Sequence, residues 1–476
     1  MNDGHHRLLG GSPAGSPASE SASESAGSSA REAARASASC GPRHMRRKSR
    51  RKSVILISAT AVAAAVALAV ATAVTYVGAT AVAVNNNVHR SDVLKDLKTQ
   101  AAAVPKLSQD TNILVMGLDT RVDEKGKPLP PEMYDALHAG DENIGGYNSN
   151  VLMLIHIPAD GSKAAGISIP RDDYVQVDGI PGSGPFKAKI KEAYGYGFAA
   201  EKTSLINAGQ PDDDATYQAA RDAGRKAEIA TVTKFLGSVH IDHFIEVTMA
   251  AFYQTAQAIA PITVCINRAT QDTFSGADFK AGMQQIDAKQ AMAFVRQRRD
   301  TSDPTYLFSD LDRERRQQAF IASVSHQLKD AGTFTDIGKM QGVLDAVSKN
   351  IVVDSELNLI QLAQQASSLT GGNIAFSTLP ITGFGWSPDG ASINTVDIAQ
   401  VQATVKELLT PVPPAPPTPT TTATTTAAAS PAPAGEQAAP AAGAAAPAPA
   451  APSAPASNVY ADSTGALQGG AIPCVK

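Results

Sequence analysis

Apolar and polar positions divide the 476-residue chain into distinct regimes. Residues 54–84, VILISATAVAAAVALAVATAVTYVGATAVAV, carry no charge over 31 positions. A bilayer core about 30 Å thick needs about 20 residues of helix, so this run predicts one transmembrane helix, spanning up to Tyr76. From Asn112 to about Leu409, short apolar runs alternate with helical periodicity. The unbroken runs NILVMGL (112–118), VLMLIHI (151–157) and AAGISI (164–169) predict strands covered on both faces. Further strands are expected at 244–249, 261–267 and 374–381. Helical spacing marks 227–239, 312–328, 357–369 and 396–409, with a short helix at 287–294 that Asp287 caps. Strands alternating with helices predict an α/β fold. The expected architecture is a layered α/β/α domain with one main mixed sheet, preceded by a single transmembrane helix, with disordered termini. Two long polar stretches, 119–150 and 200–224, read as loops: site walls, lids or tolerated insertions.

Composition sets the boundaries. Residues 1–42 are rich in Ser, Ala, Gly and Glu and hold too little apolar area to offset ordering entropy. Residues 43–52 carry seven Lys and Arg. The expected organisation is a disordered cytoplasmic leader with a basic flank (1–53), the membrane helix (54–84), a polar stem (85–110), the main domain (111–409), a Pro/Ala/Thr-rich linker (410–457) and a tail (458–476). The basic flank places the leader in the cytoplasm and everything after Val84 outside the cell membrane, as a single-pass protein. By composition the linker is an extended, semi-rigid spacer reaching into the wall. Cys265 and Cys474 both lie outside on this topology, where a disulfide persists if it forms. Two unpaired thiols are the alternative. The cysteines lack metal-site spacing, which argues against structural zinc.

Charge is balanced overall, with a formal net charge of −4, yet residues 293–320 hold six arginines. Three explanations compete: nucleic acid, a phosphate-bearing ligand, or a solvated helix face. The topology puts these arginines outside the cell, and no helix-turn-helix or aromatic platform accompanies them, so nucleic acid is not expected as a partner. Read as a strand, AFVRQR puts Phe294, Arg296 and Arg298 on one face. In the helix that follows, Arg313 and Gln317 are four apart and share a face. The expected clamp is therefore Arg296, Arg298, Arg313 and Gln317. Arg299 and Arg315 are expected in solvent, and Arg316 is open. Two apolar runs also end in charge, at Asp119-Thr120-Arg121 and at Pro170-Arg171-Asp172. Ligands in open α/β sheets bind beyond the strand carboxyl ends, so Asp119, Arg121, Arg171 and Asp172 are candidates for one crevice. Guanidinium forks match phosphate oxygens, and a nearby carboxylate suits a magnesium ion that bridges phosphates. Phosphoryl transfer is the chemistry such a set favours. There is no Walker loop, HExxH or GxSxG.

Several ordered motifs resemble the LytR–CpsA–Psr cell-wall ligases, most closely actinobacterial members. They are TNILVMGLDTR, SNVLMLIHIPADGSKAAGISIPRDDYVQVDG, KAKIKEAYGYG, IDHFIEVTMAAF, IDAKQAMAFVRQR and SDLDRERRQQAFI, over roughly 111–330. The resemblance implies a magnesium-dependent phosphotransferase. It would move a glycopolymer, arabinogalactan by the actinobacterial likeness, from a polyprenyl-pyrophosphate membrane lipid to peptidoglycan. It implies Asp119 as metal ligand and catalytic residue, with Arg171, Arg296 and Arg298 catalytic. Arg121, Lys189, Arg313 and Gln317 would hold the pyrophosphate. Many members carry Arg-Ser-Asp where this chain has Asn148-Ser149-Asn150. Asn150 offers only a carbonyl oxygen to the metal, so weaker binding is expected. A non-catalytic polyprenyl-phosphate or wall-glycan binding protein is the alternative reading.

Overall fold

The computed structural model describes residues 88–100, 110–141, 145–333, 336–348, 351–360, 362, 373–410 and 465–476. The leader, the 54–84 run and the linker beyond Thr410 lie outside these residues. No helix among the described residues is long and apolar enough to cross a membrane.

In chain order the described elements are β1 (His89–Ser91), α1 (Val93–Gln100), β2 (Thr111–Leu118), α2 (Pro131–Leu137), β3 (Ser149–Ile157), β4 (Ala164–Ser168), β5 (Tyr174–Val177) and β6 (Phe186–Lys189). A 3-10 turn (Ile190–Glu192) leads into α3 (Ala193–Asn207), α4 (Asp214–Phe235), β7 (His243–Val247), α5 (Met249–Ile259), β8 (Ile262–Ile266), β9 (Thr270–Asp272), β10 (Ala277–Phe279) and β11 (Gly282–Ile286). The C-terminal part holds α6 (Ala288–Arg296), α7 (Asp310–Asp330), α8 (Ile337–Ser348), β12 (Ile351–Asp354), β13 (Ile374–Thr378), β14 (Gly383–Trp386), β15 (Ser392–Thr395), α9 (Ile398–Leu408), β16 (Leu467–Gln468) and β17 (Cys474–Val475).

An eight-stranded mixed sheet, ordered β1-β12-β7-β2-β3-β4-β13-β16, forms the middle layer. β2 runs parallel to β7 and antiparallel to β3, while β4 runs parallel to β13. The two-residue period sends Leu114 and Met116 of β2 into one core with Leu152 and Leu154 of β3. There they meet Leu94 of α1, Val232 of α4 and Val401 of α9. Met153 and Ile155 point the other way, towards Ala291 and Phe294 of α6 and Phe320 of α7. Burial on both faces is why these strands read as unbroken apolar runs. The layered α/β/α architecture with one main mixed sheet is therefore observed.

Four expectations need correction. The stretch 200–224 is not a loop: it holds the end of α3 and the first half of α4. These helices pack through small residues, so large apolar side chains do not announce them. A Cβ on Gly197 would sit 2.6 Å from the Ala223 carbonyl oxygen, and one on Gly224 would sit 2.6 Å from the Tyr194 ring. The stem is not wholly outside the domain, because β1 joins the sheet edge beside β12. The segment AFVRQR is not a strand: α6 runs through to Arg296. Finally, the tail is part of the domain. β16 pairs with β13, β17 pairs with β8, and Cys474 is disulfide-bonded to Cys265. The expected wall-reaching spacer thus starts at Thr410 and ends at a tail held on the same domain.

Candidate functional site

The site forms where β2 and β4 end. Gly117 lets β2 press against β3, since a Cβ there would lie 2.8 Å from that of Val151. The ladder slips at Gly117/Leu118, and the main chain turns outward at Asp119. The Asp119 amide then donates to the Asn148 carbonyl at 3.1 Å. Its Oδ1 accepts from the Asn148 amide at 3.0 Å, and its Oδ2 accepts from Asn150 Nδ2 at 2.8 Å. Burial pushes the Asp119 pKa up, against the pull of Arg121 and Arg171.

β4 ends in the Pro170-Arg171-Asp172-Asp173 turn. The Lys191 amide donates to the Arg171 carbonyl at 3.2 Å, and the Ile190 amide to that of Asp173 at 2.9 Å. These bonds fasten the 3-10 turn after β6 to the turn after β4. The Asp172 carboxylate takes Lys191 Nζ at 2.6 Å, while Lys189 Nζ stands at 3.9 Å. Lys191, absent from the sequence-derived set, is the closer cation.

Buried Arg171 spends all three of its nitrogens. Nη1 donates to Asn150 Oδ1 at 2.7 Å, while Nε and Nη2 grip the two oxygens of Asp310, each at 3.1 Å. Asn150 is thus a bridge with a forced orientation. A guanidinium only donates and a carboxylate only accepts, so the amide oxygen must face Arg171 and the nitrogen Asp119. Asp310 begins α7, where Ser309 and Asp312 form a capping box. That Ser-x-x-Asp signature starts the helix ahead of residue 312, and with it Asp310 was legible in the sequence. Asp310 Oδ2 also accepts from Arg313 Nη2 at 2.9 Å, and Arg313 Nη1 donates to the Asn150 carbonyl at 3.0 Å. Burial opposes ionisation of Asp310, but the Arg313 and Arg171 guanidiniums hold its pKa below the usual range. Burial and the neighbouring Arg171 pull Arg313 down to about 10. One turn on, Glu314 is buried with neither carboxyl oxygen bonded among the described residues. Burial and the nearby Asp310 push its pKa well up.

The other arginines divide differently from the expected clamp. Arg298 is exposed and makes no hydrogen bond among the described residues, with the charges of Arg171 and Asp310 acting on it. Arg296 donates to the Leu137 carbonyl at 2.6 Å, and Arg121 donates to the Ala139 carbonyl at 2.6 Å and the Asp119 carbonyl at 2.8 Å. Both therefore hold the chain that leaves α2. Burial and its like-charged neighbours Arg121 and Arg298 lower Arg296 to about 10. Gln317 does not join the cluster through its amide nitrogen, which donates to the Val295 carbonyl at 3.2 Å and ties α7 to α6. Arg315 is not in solvent: it is buried, donating to Gln318 at 2.9 Å and to the Gly465 carbonyl of the tail. Arg316 is also a core residue, 5.1 to 5.5 Å from the rings of Phe279, Phe294 and Phe308. Its Nε donates to the Lys476 carbonyl oxygen at 2.6 Å. Arg299 is exposed as expected, over the Phe274 ring at 4.1 Å.

The cluster brings Asp119, Asn150, Arg171, Asp310 and Arg313 together, with Lys189, Lys191 and Arg298 at its edge. Its donors suit an anion with two or three oxygens. A magnesium ion fits in one way only. Each Asp119 oxygen takes one N–H and keeps a lone pair, whereas the Asn150 oxygen is already on Arg171. Among the described residues no three His, Cys, Asp or Glu gather as a metal cage. Any cation here must draw its remaining ligands from water or substrate.

Comparison with known proteins bears on the same region. The LytR_cpsA_psr family model matches residues 72–410. The cell wall biosynthesis protein LcpA of Corynebacterium glutamicum is 36% identical over 300 residues, covering 63% of this chain and 55% of that protein. The match thus spans little more than half of LcpA. A second relative, from Oceanobacillus iheyensis, is TagU, named a polyisoprenyl-teichoic acid–peptidoglycan teichoic acid transferase. It is 26% identical over 314 residues, covering 66% of this chain and 79% of that protein. Among solved structures, Bacillus subtilis TagV aligns at 19% identity with a TM-score of 0.44, covering 65% of this chain and 100% of that one.

Proposed function

This chain belongs to the LytR–CpsA–Psr family, and from that premise we propose that it is a phosphotransferase of cell-wall assembly. It moves a glycopolymer phosphate from a polyprenyl-pyrophosphate carrier to a sugar hydroxyl of peptidoglycan. The observation that carries this reading is the Asp310 carboxylate, bound through both oxygens by Arg171 and through one of them by Arg313. A phosphate can offer two oxygens to the same guanidinium fork. In the transfer, the acceptor oxygen bonds to the phosphorus that bears the glycan. The bond from that phosphorus to the bridging oxygen breaks, polyprenyl phosphate leaves with the electron pair, and the hydroxyl proton passes to solvent. Arg171 and Arg313 hold non-bridging oxygens, and Arg298 is the free donor for the leaving phosphate. Positioning and charge neutralisation supply most of the rate in such chemistry. Asp119 would hold magnesium, which when bound neutralises phosphate charge. The resemblance to actinobacterial members supports arabinogalactan as the polymer and a single-pass membrane location with the domain outside.

The test uses the full chain in detergent with polyprenyl pyrophosphate. Phosphate release that needs magnesium, is lost in Arg171→Ala and falls in Arg298→Ala is the expected result. A specific observation favours a second reading, a non-catalytic lipid-phosphate binder: Asn150 brings no carboxylate beside Asp119, and its oxygen is taken by Arg171. Saturable lipid binding without turnover would establish that reading and sink the first.

A further inference from the structure

The ribbon formed by β14 and β15 stands beside the anion cluster and belongs to none of the chemistry above. Its first strand reads Gly-Phe-Gly-Trp, and both aromatic side chains are turned out to solvent: Phe384 is 69% exposed and Trp386 76%. In register, Phe384 lies opposite Asn394 and Trp386 opposite Ser392. Directly opposed residues in an antiparallel pair share a face. The two rings therefore line the face from which Asn394 reaches the site: its Nδ2 donates to Asp173 Oδ1 at 3.0 Å and its amide to the Asp172 carbonyl at 2.8 Å. A single exposed aromatic needs no explanation, but two side by side, continuous with a binding turn, mark a contact surface.

We propose that Phe384 and Trp386 form a stacking platform for the acceptor glycan, taking the apolar C–H faces of successive pyranose rings. This rests on the transferase reading and names its acceptor subsite. Aromatic faces bury large apolar area at low side-chain entropy and tolerate a repeating polymer. The platform is open, so a strand can arrive from the side next to the turn that carries Arg171. Charge argues against a lipid surface as the occupant. From Ile374 to Val405 the chain has no Lys or Arg, the ribbon's one charge is Asp389, and the neighbouring Lys189 and Lys191 face Asp172 and Asp389 rather than standing with the rings. Docking to an anionic leaflet draws on basic residues.

Trp386 is the chain's single tryptophan, so its fluorescence reports this surface alone. Full chain in neutral detergent is titrated with soluble, peptide-free oligomers of the peptidoglycan disaccharide, without donor lipid. Saturable quenching is expected, weakened about tenfold in Phe384→Ala, with the melting temperature of that variant unchanged. No response to the oligomers overturns the proposal. So does a response to phosphatidylglycerol vesicles alone, which would make the rings a membrane contact. Because no donor is present, glycan binding without turnover would defeat only the transferase reading, and turnover without glycan binding only the platform.

Discussion

Replacing Asp310 with Asn tests the electrostatic design of the site directly. The substitution keeps volume and one acceptor oxygen but removes the charge that faces Arg171 and Arg313. Those side chains are 7% and 5% exposed, so water screens little of what is left. Breaking a buried ion pair by removing one partner costs about 3–5 kcal/mol, and the retained oxygen puts this case near the lower end. For a domain of about 300 residues, an unfolding entropy near 2.1 cal/mol/K per residue converts about 3 kcal/mol into a melting shift of roughly 5 °C. The same change removes the negative charge that competes with an incoming anion for Arg171 and Arg313. Pyrophosphate at a hundred times its dissociation constant then returns about 2.7 kcal/mol to the variant. In the wild type, an incoming anion must first displace the carboxylate, so the same addition stabilises less. Differential scanning fluorimetry with and without pyrophosphate measures both effects. If Asp310→Asn melts with the wild type, or if pyrophosphate raises both proteins equally, Asp310 is not the occupant of the anion site.

Further outcomes follow from the same geometry. Arg298→Ala should leave the melting temperature within about 1 °C, as an exposed substitution does, yet cut kcat/KM on polyprenyl pyrophosphate by roughly 10- to 100-fold, the worth of one charge-assisted contact. Arg316→Ala should do the reverse, lowering the melting temperature through lost core contacts, which urea denaturation would quantify. Glu228 is buried, with its pKa pushed up by burial to about 8. It is protonated when folded but ionised when unfolded between roughly pH 4.5 and 8, so wild-type stability should fall across that window by about 1.4 kcal/mol per pH unit at most. Glu228→Gln should remove that slope, and parallel pH profiles of the two proteins would contradict the assignment. Asn150→Asp should tighten magnesium binding, seen by calorimetry with pyrophosphate present, and destabilise the metal-free protein because two carboxylates then meet.

The strands and the main sheet were legible because apolar burial on two faces leaves an unbroken run, as in 112–118 and 151–157. The strand-end residues Asp119 and Arg171 were legible for a related reason: charge directly after such a run marks where the strand leaves the apolar core for a polar site. The arginines of 293–320 were not separable by pattern. Arg315 and Arg316 look as polar as Arg313 in a helical projection, but their burial depends on tail residues 150 and 160 positions away, Gly465 and Lys476. Arg296 was misplaced because AFVRQR fits a strand period, whereas the Ala-rich residues before it carry the helix forward. Gln317 shares a face with Arg313, yet its amide nitrogen is spent on the neighbouring helix. No local signal reports such long-range partners.

The bond between Cys265 and Cys474, 209 positions apart, closes the chain from one to the other into a covalent ring, and that ring encloses both the arginine-bearing helix α7 and the Pro/Ala/Thr-rich stretch. A protease that cuts once within 411–464 therefore opens the ring without releasing anything. The last residues stay attached, and Arg315 and Arg316 keep their partners. Under oxidising conditions, a nicked molecule should run as two fragments only after reduction. It should also melt as one body until then.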